Sequence, residues 1–118
     1  MTLVDTSVWI DHLRVSDRRL VALLLDEQVL SHPFVIGELA CGSMKRRGEV
    51  LGLLKHLPHI ADVPDPEVLV FVERRALVGK GLGWIDVHLL ASTVVSGHTL
   101  WTKDERLADA ARRPGVVA

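Results

Sequence analysis

Short apolar runs recur along the chain, separated by longer stretches in which apolar residues repeat with helical spacing. TLVD, residues 2 to 5, reads as a buried strand, and SVWIDHL begins a helix directly after it. SDRRLVALLLDE is a clearer helix, with Ser16 at the N-cap and Leu20, Leu23 and Leu24 facing inward. QVLSH supplies a second strand. Pro33 then suits a first helical turn, where its missing N–H is no loss, so PFVIGELACGS forms a helix with Glu38 in its interior. Another helix runs from Lys45 to His56.

Pro58, Pro64 and Pro66 punctuate the middle and leave room for a third strand around HIADV. A helix from Pro66 to about Val78 leads to the glycine-rich KGLG, and WIDVHLLASTVVSG follows as a helix apolar nearly all round, hence central. HTLWT gives a fourth strand, KDERLADAARR a helix and GVVA a fifth short strand. Strands alternating with helices predict an α/β fold: a three-layer α/β/α arrangement around a mostly parallel sheet of four or five short strands. No internal repeat is present.

Composition narrows the class. A chain of 118 residues, 48% hydrophobic and 25% charged, fits one ordered domain spanning residues 1–118 that buries roughly two-thirds of its unfolded surface. The single Cys41, within VIGELACG, reads as a small buried apolar group, and one thiol forms no internal disulfide, which fits a reducing compartment. With no targeting leader and every apolar stretch interrupted before the ~20 residues a bilayer requires, the expectation is a soluble, cytoplasmic protein without a membrane. Net charge is only −1, and the basic residues fall in scattered groups such as Arg74 with Arg75 and Arg112 with Arg113. Charge alone gives no sign of nucleic-acid binding.

Four acids carry the chemistry, although each has an ordinary use. Asp5 can cap the first helix, Asp86 of GLGWID suits the dipole of a helix start, and TKDE from Thr102 to Glu105 fits a capping box that includes Asp104. Glu38 sits among Val35, Ile36, Leu39 and Ala40 with little polar company. Asp5 and Asp104 both follow strand carboxyl ends, the edge where open parallel sheets form ligand sites, and helices entered from that edge bring Asp86 there as well. At ~5 Å and an effective dielectric of about 20, each like-charged pair costs about 3 kcal/mol, so such a group requires a cation or protons. Hard oxygen donors without Cys or a compact His motif point to Mg²⁺ or Mn²⁺ rather than zinc, and such a site suits phosphodiester hydrolysis.

The order DTSVWID, an interior GEL glutamate, GWID opening a buried helix and TKDERL after a strand resembles the PIN-domain nucleases, specifically the VapC-type toxins of toxin–antitoxin pairs. The likeness runs from about residue 2 to residue 112. It implies a PIN-like fold, an acidic site of Asp5, Glu38, Asp86 and Asp104 acting in catalysis and metal ligation, and a ribonuclease that requires Mg²⁺ or Mn²⁺. It also implies an RNA substrate, a homodimer and a cognate VapB-like antitoxin. Thr6, Ser7 and Thr102 become supporting hydroxyls. Two other functions fit parts of the pattern: a non-cleaving RNA- or partner-binding module of the same fold, and a receiver-type phosphoacceptor domain with Lys103 as its lysine.

Other features stay structural. His56 and His59 are separated by Pro58 and have no third ligand nearby, while His88, two residues after Asp86, points to a different helix side and packs. Trp9, Trp84 and Trp101 lie in apolar patterns, as core or partner interface. KGLG lacks the frame of a P-loop. Arg14 is placed to guide RNA or to meet an antitoxin carboxylate.

Overall fold

The computed structural model describes residues 1–118. The sheet is built of very short strands. Strand β1 (Thr2–Val4) is wholly buried, lies between β2 (Val29–Leu30) and β3 (Thr99–Trp101), and pairs parallel with both. Thr2 and Leu3 stand beside Val29 and Leu30; Thr2, Leu3 and Val4 stand beside Thr99, Leu100 and Trp101. Parallel neighbours cannot be joined by tight turns, and helices make the crossovers. Helices α1 (Thr6–Arg14) and α2 (Arg18–Leu25) lie between β1 and β2. The helices α3 (Pro33–Cys41), α4 (Arg47–His56), α5 (Asp65–Arg74) and α6 (Trp84–Ser96) lie between β2 and β3, and α7 (Glu105–Arg112) follows.

The sheet has three strands, not four or five. At each expected outer strand only one parallel bridge forms, Ser31 with His59 and Leu100 with Val117. Prolines on both sides of residues 59–63 keep that segment from extending its ladder. Helix α5 ends at Arg74, four residues before the expected Val78, because Ala76 turns into the left-handed region at φ 54°. The N-cap of α2 is Asp17 rather than Ser16: its carboxylate accepts from the Leu20 N–H, and its own N–H donates to His12 Nδ1, closing the α1–α2 turn.

Helix α6 organises the interior. Leu89 and Leu90 join Leu3, Val4, Val8, Trp9, Leu100 and Leu107 in the main core, while Val87 and Ala91 close a smaller cluster with Val63 and Val68 under α5. Seven successive residues of α6, Val87 to Thr93, are buried, so the helix contacts protein on every side, as its sequence predicts. Gly97 ends it at φ 71° and turns the chain into β3. Trp9 belongs to the core, Trp101 is half-buried with the Arg19 guanidinium 4.4 Å from its ring centroid, and Trp84 is exposed at the start of α6. Cys41 departs from expectation. Val35 and Leu39 fill the buried face of α3, and Cys41, two residues past Leu39, points to solvent. No helix is long and apolar enough to cross a membrane.

His32 links β2 to α3. Its Nδ1 accepts the Phe34 N–H as an N-cap, while its Nε2 is buried without a hydrogen-bond partner. Burial pulls its pKa down from 6.5 to about 4, against the Asp62 charge and with lesser contributions from His88 and His59. The folded state therefore binds this proton less readily than the unfolded chain. Stability from this group is full above pH 6.5 and is lost as the pH falls towards 4. We expect urea unfolding at pH 7 and pH 4.5 to show this loss, and His32→Asn, which retains a capping oxygen, to flatten it; an unchanged pH profile in that variant refutes the assignment. Leu89→Ala, at a site with no exposure, should lower stability by about 2–5 kcal/mol in the same assay.

Candidate acidic active site

Register places the first elements of the site. Because Val4 lies beside Trp101, β1 and β3 end level, and the Asp5 N–H donates to the Trp101 carbonyl at 2.9 Å. Strand order β2-β1-β3 means the chain leaves β1 towards one side and returns to the other, so this shared end is a topological switch point. Helices α1 and α7 start there, and Asp5 and Asp104 occupy their N-cap positions.

Asp5 is buried, and its side chain does not cap α1. Instead its Oδ2 accepts two hydroxyls, Ser7 Oγ at 2.9 Å and Thr102 Oγ1 at 2.7 Å. Thr102 Oγ1 also accepts the Asp104 N–H, and Ser7 Oγ accepts the Lys103 N–H, which ties the β1–α1 junction to the β3–α7 junction. Thr6 faces another way and donates to Glu38 Oε1 at 2.8 Å, bringing the exposed α3 carboxylate to the same junction. Asp104 caps α7 itself, its Oδ1 accepting from the Arg106 and Leu107 N–H groups. The capping residue is thus Asp104, not Thr102, whose hydroxyl is used on Asp5.

Asp86 sits in the first turn of α6, its Oδ2 held by the Gly83 N–H at 2.8 Å. Burial raises its pKa, the Gly83 N–H opposes the rise, and the negative charges of Asp5 and Asp104 add to it. Those charges place Asp5, Asp86 and Asp104 in one electrostatic neighbourhood. None of the four acids forms an ion pair; the ion pairs elsewhere are Lys103–Asp11 and Arg112–Asp109.

A common pattern runs through the four carboxylates. One oxygen of each is anchored by the protein: Asp5 Oδ2, Glu38 Oε1, Asp86 Oδ2 and Asp104 Oδ1. The other oxygen of each accepts no hydrogen bond from the protein. Anchoring therefore fixes the carboxylates while leaving hard donor atoms for a cation or water, and structural use and ligand binding do not compete. As arranged, no three His, Cys, Asp or Glu side chains close on a single chelating point. The donor chemistry and unbalanced charge suit an oxygen-seeking divalent cation, with ligation shared between few carboxylates and water.

Lys103 is unavailable to a phosphoacceptor aspartate, because its Nζ pairs with Asp11 Oδ2 at 2.7 Å. That pair, which lowers the pKa of Asp11, is a brace the sequence reading passed over. Its signal is the spacing: Asp11 lies four residues after Ser7, on the same face of α1, and both hold Lys103. His88 is buried, edge-on to the rings of Trp84 and Phe34, with Nε2 3.1 Å from Asp65 Oδ1 but not aligned as a hydrogen bond. It packs, as its position in the helix predicts. His56 and His59 are exposed, and Arg14 is exposed at the end of α1.

The family model of the PIN domain matches residues 2–113. "Ribonuclease VapC32" of Mycobacterium tuberculosis is 53% identical to this chain, in strain CDC 1551 / Oshkosh and equally in strain ATCC 25618 / H37Rv. Each alignment spans 99% of this chain and 95% of the relative. The order of acids along the chain and these matches agree: the chain belongs to the PIN-domain family, among its VapC-type ribonucleases.

Proposed function

We propose that this protein is an Mg²⁺- or Mn²⁺-dependent endoribonuclease that hydrolyses RNA phosphodiester bonds with an activated water, as the toxin of a toxin–antitoxin pair in the cytoplasm. The observation that carries the reading is the set of four carboxylates at the switch point, each with one anchored and one free oxygen. Among Asp5, Glu38, Asp86 and Asp104 are the residues that would hold the cation together with water, and a divalent cation there would supply a lowered water pKa and stabilise charge on the phosphate. The name of the M. tuberculosis relatives supports ribonuclease activity. A pure binding module has no use for self-repelling acids left without basic partners.

The chain's own groups have distinct tasks. Buried Asp5 is held rigid by Ser7 and Thr102 and forms the floor of the site, whereas Glu38 and Asp104 stand at its exposed rim. Thr6 orients Glu38, and the Gly83 N–H orients Asp86. Asp86, with its raised pKa, is the acid most ready to hold or pass a proton when no cation is bound. A cognate VapB-like antitoxin is the expected inhibitor. Exposed apolar side chains such as Leu69, Val70 and Val95 support a homodimer.

Purified protein incubated with total RNA should cut at discrete positions in Mg²⁺ or Mn²⁺ and not in EDTA. Asp5→Asn, which retains a partner for both hydroxyls, should abolish cutting with little change in melting temperature; full activity in that variant refutes the role of Asp5. Thr102→Val removes one anchor of Asp5 and should lower activity or Mn²⁺ affinity about 10- to 100-fold, read by mapped cleavage and by metal titration.

A further inference from the structure

Behind the acidic site lies a cleft of about 390 Å³, within the size of small-molecule pockets, between the α5–α6 connection and α7. Arg75, Lys80, Arg106 and Arg113 line it, together with an apolar wall that includes Phe71 and Leu77. None of these four cations forms an ion pair, and the one acid in the lining, Asp109, is engaged by Arg112. Four unpaired positive charges beside apolar surface repel one another and are relieved by a polyanion. Arg75 already lies 5.6 Å from the Phe71 ring centroid, so the cleft joins a planar, stackable surface to its charges.

The cleft and the acidic site share bordering elements. The Arg106 N–H binds Asp104 Oδ1, while the Arg106 side chain packs against Gly81 so closely that a Cβ there would lie 2.8 Å from Nη1. Two residues later, the Gly83 N–H holds Asp86. The first turn of α7 and the residue 80–83 loop thus wall both places. A chain of net charge −1 whose site is acidic repels the phosphates that flank a scissile bond, and here it gathers cations beside that site.

We infer that this cleft is a nucleotide subsite that holds the RNA strand beyond the scissile bond, its phosphates on Arg75, Lys80, Arg106 and Arg113 and a base against Phe71 and Leu77. The inference rests on RNA being the substrate. An acidic peptide is the weaker occupant, since it makes no use of the stackable wall or of the nearness of the acids across α7 and the 80–83 loop.

The test is binding rather than cleavage: fluorescence anisotropy, in EDTA, of a labelled single-stranded RNA of about a dozen nucleotides. Arg75→Ala/Arg113→Ala, two exposed positions outside the acidic site, should weaken binding about tenfold and make the slope of log K against log salt shallower by about 1.4, the loss of two phosphate contacts. Lys45→Ala/Arg46→Ala, outside the cleft, should leave the slope closer to that of the unaltered protein. An unchanged slope in the Arg75/Arg113 variant overturns the subsite, even if RNA is cut. Slope loss with no cutting in metal supports the subsite and refutes the nuclease reading instead. AMP or an oligoglutamate peptide enters as competitor: if either binds the cleft while RNA binding ignores the variant, the occupant is a free nucleotide or an acidic peptide and the RNA assignment falls.

Discussion

The level ending of β1 and β3 is the constraint on which the rest of the site depends. Three residues of parallel register set the Asp5 N–H on the Trp101 carbonyl, and from that bond follow the positions of Asp5, Thr102 and Asp104. A shift of one residue in this ladder would turn each side chain to the opposite face of the sheet. Burial of both strands prevents the shift: Leu3, Val4 and Leu100 are fully enclosed by helices, and moving them out of register would expose them together. The hydrophobic core thus fixes the chemistry at one remove, by setting where two strands stop.

On this frame the hydroxyls keep together what the charges drive apart. Burial raises the pKa of Asp86, the charges of Asp5 and Asp104 add to the rise, and no basic side chain forms an ion pair with any of the three. Ser7 and Thr102 hold Asp5 from two elements at once, and the Lys103–Asp11 pair, outside the cluster, clamps the β3–α7 turn to α1 without cancelling charge in the cleft. The same turn positions Arg106 on its far side, so one short connection sorts negative charge to one wall and positive charge to the other.

Much of this was legible in the chain. Alternating elements, the central apolar helix and the four acids could be read because periodicity and strand ends are local properties. Outer strands could not be counted, since one bridge or a full ladder at HIADV and GVVA depends on how each segment meets its partner strand, and near HIADV on the flanking prolines. Capping was misplaced by one residue at Ser16 and by two at Thr102 because several hydroxyl and carboxylate residues adjoin each helix start, and only the three-dimensional neighbours decide which is used. Cys41 reads as a core residue because its apolar neighbours hide the helical phase that turns it outward. The basic cleft was invisible for a different reason: its cations come from the α5–α6 connection and both ends of α7, and no window of sequence contains them all.

The two single bridges at the margins of the sheet have a consequence for association. A sheet edge with several free N–H and C=O groups invites another extended chain to pair with it. Here each margin carries a segment joined by a single bridge, Ser31 with His59 beside Pro58 and Leu100 with Val117. Strand addition finds almost no backbone to zip along, so recognition of this molecule by another protein falls to its helices and loops, whose side chains, unlike a bare peptide backbone, distinguish one partner from the next.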